Sequence, residues 1–388
     1  MGIGAAVIAA ALSASAAAQA PEDMGTLAFD EWDAGRVEVA GARLPTVVLY
    51  PTDGVGPHPL VGVIHGASRT GARHRVLAET LASRGFVVLL PDIPCGFTGC
   101  DHDANADQLI GLLEWAEARS DDGASPIAGL VDADRAALIG HSWGALASHM
   151  AAARLPSLDA VVLLDPNDDG TVGLDATSAV MAPTAQLLAQ VPGSCNSQWR
   201  EDEVGAALPA PNLELTVTDS AHCDPEEPGD FLCPVACAAG DASTSVYFRR
   251  YTVAWVACLL QGDAAVAPWL GGDALRSDEG DDVVRGTVER GLDALPCLGG
   301  GGLDAGPGDL DGGPSGGDAG IQIDAGGGVD AGGGGIDAGV RTDAGAGSES
   351  GGGCACRASP GRGARSGAWL GLALLAFVRR LSRGRRAA

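Results

Sequence analysis

The sequence predicts an α/β protein whose mostly parallel sheet is covered by helices on both faces. Three observations carry this reading. Short, continuous apolar runs alternate with longer stretches of helical spacing, the pattern of strands buried on both sides and joined by helices. A serine between glycines, Gly140-His141-Ser142-Trp143-Gly144, stands where one such run meets one such stretch. The composition then changes abruptly near residue 299, which leaves a compact part of residues 21–298, long enough for one large core.

Residues 43–50 and 60–64 read as strands, the second ending at His65-Gly66. Residues 75–84 read as a helix stopped by Gly85, and 86–90 as a buried strand closed by Pro91. Residues 104–119 carry Leu109, Leu112, Leu113 and Ala116 at helical spacing. A strand over 136–139 precedes the serine, and a helix over 143–154 follows it. Strands over 160–164, 184–188 and 213–217 come next; the third is expected to be the last, and a helix over 246–260 to close the domain.

Outside the core the chain reads as an exported protein. Residues 1–20 form a small, apolar leader ending Ala18-Gln19-Ala20, an A-x-A cleavage pattern. Eight cysteines lie within 21–298, an even number that suits disulfides in an oxidising compartment. Cys95 and Cys100 are expected to bridge each other; the other pairings stay open. A zinc site around Cys233-Pro-Val-Ala-Cys237, Cys223 and His222 is the competing reading, disfavoured because the sequence has no C-x-x-C pair and the chain reads as exported. No metal or cofactor is expected. A net charge of −26 with no lysine argues against a nucleic-acid partner, which needs clustered cations.

Residues 299–353 are glycine-rich, carry Asp-Ala-Gly six times, and have too little apolar area to fold, so a flexible linker is expected. In 354–388 a Cys354-Ala-Cys356 motif precedes an apolar stretch over 368–378 and then Arg379, Arg380, Arg383, Arg385 and Arg386. This tail resembles the myxobacterial C-terminal sorting signal, and the resemblance implies a protein held at the outer cell surface or membrane.

The chemistry centres on Ser142. A serine hydroxyl is a poor nucleophile unless a base adjoins it and a sharp turn exposes it; G-x-S-x-G between a strand and a helix supplies that turn. The expected order is nucleophile, acid, histidine. Among the seven histidines only His222 follows at a useful distance, since His149 lies two turns into the helix after the serine. The acid is less determined. The stretch after residues 184–188 has no carboxylate, whereas Asp165 stands at the end of 160–164, with Asp168 one loop further as the alternative.

The stretches Leu-Leu-Asp165-Pro-Asn-Asp-Asp-Gly, Ile64-His-Gly-Ala and His222-Cys-Asp resemble chlorophyllases and related cutinase-like esterases of the α/β-hydrolase superfamily, over roughly residues 43–262. The resemblance implies a Ser142-Asp165-His222 triad acting on an extracellular ester, lipid or polyester. Backbone amides of Trp143 and Ala67 are the expected oxyanion donors. A non-catalytic surface binding protein on the same scaffold, or an acyltransferase or peptidase of that fold, are the alternatives.

Overall fold

The computed structural model describes residues 19–96 and 99–298; the expected linker and tail, and the leader up to residue 18, lie outside them. The chain opens with two antiparallel strands, β1 (Phe29–Val39) and β2 (Ala42–Pro51), then β3 (His58–Ile64), α1 (Arg75–Ser83) and β4 (Val87–Pro91). A two-residue ribbon, β5 (Cys95–Gly96) and β6 (Gly99–Cys100), leads into α2 (His102–Ser120). Then follow β7 (Val131–His141), α3 (Trp143–Arg154), β8 (Ala160–Leu164), α4 (Val172–Thr177), β9 (Thr184–Ala189), α5 (Glu201–Ala207) and β10 (Asn212–Val217). After the short α6 (Leu232–Ala236) come α7 (Ser245–Gln261), α8 (Asp273–Gly280) and β11 (Val284–Arg290).

Nine strands form one sheet in the order β1-β2-β4-β3-β7-β8-β9-β10-β11. The strands from β4 to β10 run parallel. Their period-two alternation builds two cores. Val61, Val63, Ala137, Ile139, Val162 and Leu164 join α1 and α7 on one face, with Leu77, Leu81, Phe248 and Trp255. Leu60, Ile64, Leu138, Val161 and Leu163 join α2 and α3 on the other, with Leu109, Leu112 and Leu146. This is the α/β-hydrolase fold, as the sequence predicts.

Two expectations need correction. β10 is not the last strand and α7 does not close the domain: α8 and β11 follow, and β11 pairs antiparallel with β10. The opening strand β1 also lacks any counterpart in the sequence reading. Both are edge strands, Phe-Asp-Glu-Trp-Asp-Ala-Gly-Arg-Val-Glu-Val and Val-Arg-Gly-Thr-Val-Glu-Arg. Edges carry charges and bulges that discourage pairing with another chain. Each has a register shift, in β1 between Asp33 and Arg36 beside the positive-φ Gly35, so no apolar run marks them.

The eight cysteines of the core form four disulfides, Cys95–Cys100 as expected, and Cys195–Cys237, Cys223–Cys233 and Cys258–Cys297. Cys195, His222 and Cys237 come within ligand range of one another, but sulphurs bonded to each other are not the thiolates zinc requires.

The packed faces also bury histidines. His149 is fully buried in α3, where its Nε2–H donates to Thr177 Oγ1 (3.0 Å). Burial pushes its pKa down to about 4, and that of the equally buried His74 to about 3. Both groups therefore refuse protons that the unfolded chain accepts near 6.5, and their contribution to stability falls as pH drops from about 6.5 towards those folded values. We expect the melting temperature to fall with acidification across this window, and His149→Gln to flatten the slope relative to wild type in scanning calorimetry between pH 7 and 4.5. Parallel slopes would refute the assignment.

Candidate active site

The turn between β7 and α3 is forced by close packing. Ser142 has φ 58° and ψ −125°, a strained conformation for a residue with a side chain. A Cβ on Gly140 would lie 2.3 Å from the Gly144 carbonyl oxygen, and one on Gly144 2.4 Å from that of His65. The two glycines are thus required by backbone contacts across the turn. The Ser142 amide donates to the Leu164 carbonyl (3.1 Å), which ties the serine to the end of β8, the strand that carries Asp165.

Asp165 is buried, with φ 37°. Its Oδ1 accepts from the Ala189 amide (2.8 Å), and its Oδ2 from Asn196 Nδ2 (3.0 Å) and His222 Nδ1 (2.6 Å). The opposite ring nitrogen of His222 accepts from Ser142 Oγ (2.9 Å). Ser142, His222 and Asp165 are thereby joined in one hydrogen-bonded chain. Asp168 is not: its Oδ1 accepts from the Asp169 and Gly173 amides (both 2.8 Å) and its Oδ2 from Leu174 (3.2 Å). It stabilises the first turn of α4, as a carboxylate at orphan amides does.

His222 is held from behind. His141 Nε2–H donates to its carbonyl oxygen (2.6 Å). His141 is almost wholly enclosed, and burial drives its pKa well below the ordinary value, with His222 and His74 adding to that effect. A neutral ring is consistent with its donor role. Beyond it, Arg69 clamps both carboxylate oxygens of the buried Glu226, the Nε contact being 2.7 Å, and reaches Asp230 at 3.0 Å.

The loop after β3 is fixed by His65. The Ile93 amide donates to His65 Nε2 (2.9 Å), so Nδ1–H donates to the Gly66 carbonyl (2.7 Å). Gly66 approaches the serine so closely that a Cβ there would lie 2.9 Å from Ser142 Cβ. Among the described residues no acceptor engages the Ala67 amide. Trp143 opens α3, where an amide has no partner within the helix. Ala67 and Trp143 line the same cleft as Ser142 and His222, a space of about 240 Å³ lined also by Cys195, Cys233, Ala236 and Cys237. A larger hollow of about 550 Å³, lined by Asp33, Thr46, Arg75 and Pro228 among others, shares no residue with this cleft.

Asn196 is the residue that sequence reasoning missed. It lies in the loop after β9, the place searched for a carboxylate, and supplies a neutral donor to Asp165 instead. Its Oδ1 accepts from the Gly193 amide (2.8 Å), which sets the direction of the amide group. The adjacent Cys195 was the available signal, since a bridged cysteine pins its neighbours. Gly144→Ala is expected to lower the melting temperature by about 5 °C or more, from the overlap with His65; thermal unfolding of the purified variant checks this.

Comparisons with known proteins point to ester hydrolases. A PET hydrolase-like family model matches residues 23–199, a stretch that includes Ser142 and Asp165. Cutinase 1 of Thermobifida cellulosilytica is 29% identical over 247 residues, covering 63% of this chain and 84% of its own. The cutinase of Thermobifida fusca is 29% identical over 247 residues, with 63% and 73% covered. Cutinase est1 of Thermobifida alba is 25% identical over 246 residues, with 63% and 75% covered. Fold and relatives together identify the chain as a serine ester hydrolase of the α/β-hydrolase fold.

Proposed function

We propose that the protein hydrolyses uncharged carboxylic esters, polyesters foremost, through a Ser142-Asp165-His222 triad. The observation that carries this reading is the unbroken hydrogen-bond chain from Asp165 through both nitrogens of His222 to Ser142. The similarity to cutinases and to the PET hydrolase-like family supports the polyester assignment.

In the first step His222 Nε2 takes the Ser142 proton while Oγ attacks the ester carbonyl carbon. The carbonyl electron pair moves onto oxygen, where the Ala67 and Trp143 amides receive it; each such donor is worth a factor of about a hundred or more in rate. Asp165 holds the ring by its Nδ1–H and stabilises the imidazolium. Collapse of the intermediate breaks the ester C–O bond, and His222 returns the proton to the departing alcohol. Water then attacks the acyl-serine by the same route and releases the acid. No step requires a metal or redox partner.

Asn196 acts by position: its amide leaves Oδ2 oriented towards His222. We also propose that the enzyme works outside the cell. Four disulfides are of the kind that persists in an oxidising compartment, and residues 1–20 and 354–388 read as leader and surface-sorting segments.

Labelling with a fluorophosphonate probe and turnover of p-nitrophenyl esters test the reading. Ser142→Ala should abolish labelling and lower kcat by more than about a thousandfold. Asp165→Asn should lower kcat by at least about a hundredfold, whereas Asp168→Asn should cost less than about tenfold in kcat but lower the melting temperature. Undiminished labelling of Ser142→Ala, or an Asp168 effect exceeding that of Asp165, would reject it. Asn196→Ala should reduce kcat by about tenfold with KM within about twofold.

A further inference from the structure

The loop that follows His222 carries a feature the reaction does not use. Phe231, Leu232 and Val235 are 77%, 52% and 81% exposed, three of the seven large apolar side chains most exposed among the described residues. They occupy one short stretch, on α6 and the residue before it. At helical spacing Phe231 and Val235 lie one turn apart, as do Leu232 and Ala236. Exposing such a cluster is unfavourable in water, and clusters of this kind mark interaction sites.

We propose that this stretch is the docking surface by which the enzyme adsorbs to an insoluble, uncharged polyester; the proposal rests on the ester-hydrolase reading above. Continuity with the cleft supports it. Cys233, Ala236 and Cys237, interleaved with the exposed residues, line the cleft that holds Ser142. A surface seated on Phe231 and Val235 therefore abuts the mouth through which a polymer chain must enter. A second copy of the protein seated there would cover that mouth.

Charge supports the same occupant. Residues 231–240 contain no charged side chain, within a chain of net charge −26. The flanking Asp230 is paired with Arg69 and Arg73, and Asp241 caps the next turn. A cationic partner finds no carboxylate within residues 231–240, and an anionic surface would be repelled by the rest of the protein.

The stretch is also rigidly joined to the site. Cys233 is bridged to Cys223, the neighbour of His222, and Cys237 to Cys195, the neighbour of Asn196. Little ordering remains to be done on adsorption, so contact area converts more fully into binding.

The test is a triple variant, Phe231→Ser with Leu232→Ser and Val235→Ser. Adsorption to an amorphous aliphatic polyester film is measured in a Ser142→Ala background, so that no erosion confounds it. The catalytically intact triple variant is assayed on film and on p-nitrophenyl acetate. Film affinity and film hydrolysis should each fall by at least about tenfold, with soluble-ester turnover within about twofold of wild type, which also reports an intact fold. If the triple variant fails to fold, Phe231→Ser alone should lower film affinity by about threefold with the same soluble control. Unchanged adsorption would overturn the proposal. So would a wild-type dimer that the variant converts to monomer in light scattering while film binding persists, or a loss confined to phosphatidylcholine vesicles. Wild-type protein that adsorbs to film but turns over no ester would instead overturn the reading on which the proposal rests.

Discussion

A carboxylate buried at the end of a strand has to find donors for both oxygens or be expelled as an ion. Asp165 meets that demand with three groups drawn from two other strands: the Ala189 amide and Asn196 after β9, and His222 after β10. The Ser142 amide, from the turn after β7, closes on the same strand end through Leu164. The hydrogen bonds of one side chain therefore register three loops against each other. The positive φ of Asp165, like that of Ser142, is strain held in place by this surrounding network.

In that network the carboxylate stands at the end of β8 and not in the loop after β9. The loop after β9 has no carboxylate to offer, and β8 lies next to the serine's own strand. Asn196 then takes over as a support. The arrangement is further braced by two disulfides, both adjacent to residues of the network: Cys223 follows His222, and Cys195 precedes Asn196. Residues 223–226 directly after His222 are buried, whereas most of residues 228–241 are not, and the disulfides hold that outer part of the loop to the site.

A second consequence of burial is electrostatic. His141, pressed between His222 and His74, serves the site as a neutral donor to the His222 carbonyl. Behind it the Arg69–Glu226 pair is nearly closed to solvent. The outer surface is strongly acidic by contrast, so the uncharged patch over residues 231–240 stands out against it.

Much of the arrangement was legible before the fold was known. The parallel strands are continuous apolar runs because both their faces are covered, and the serine turn declares itself through Gly140 and Gly144, which no other residue can replace there. His222 followed from the scarcity of downstream histidines. Edge strands β1 and β11 were illegible, because an edge is kept charged and bulged to avoid pairing. The choice between Asp165 and Asp168 was open too, since three residues along a loop decide direction and not composition. Chain order and local backbone demand are written in the sequence, because they act between near neighbours. Which carboxylate meets His222, that Asn196 supports it, and how Cys195, Cys223, Cys233 and Cys237 pair were decided only when β8, β9 and β10 came side by side, for those contacts join residues distant along the chain and depend on how the strands pack.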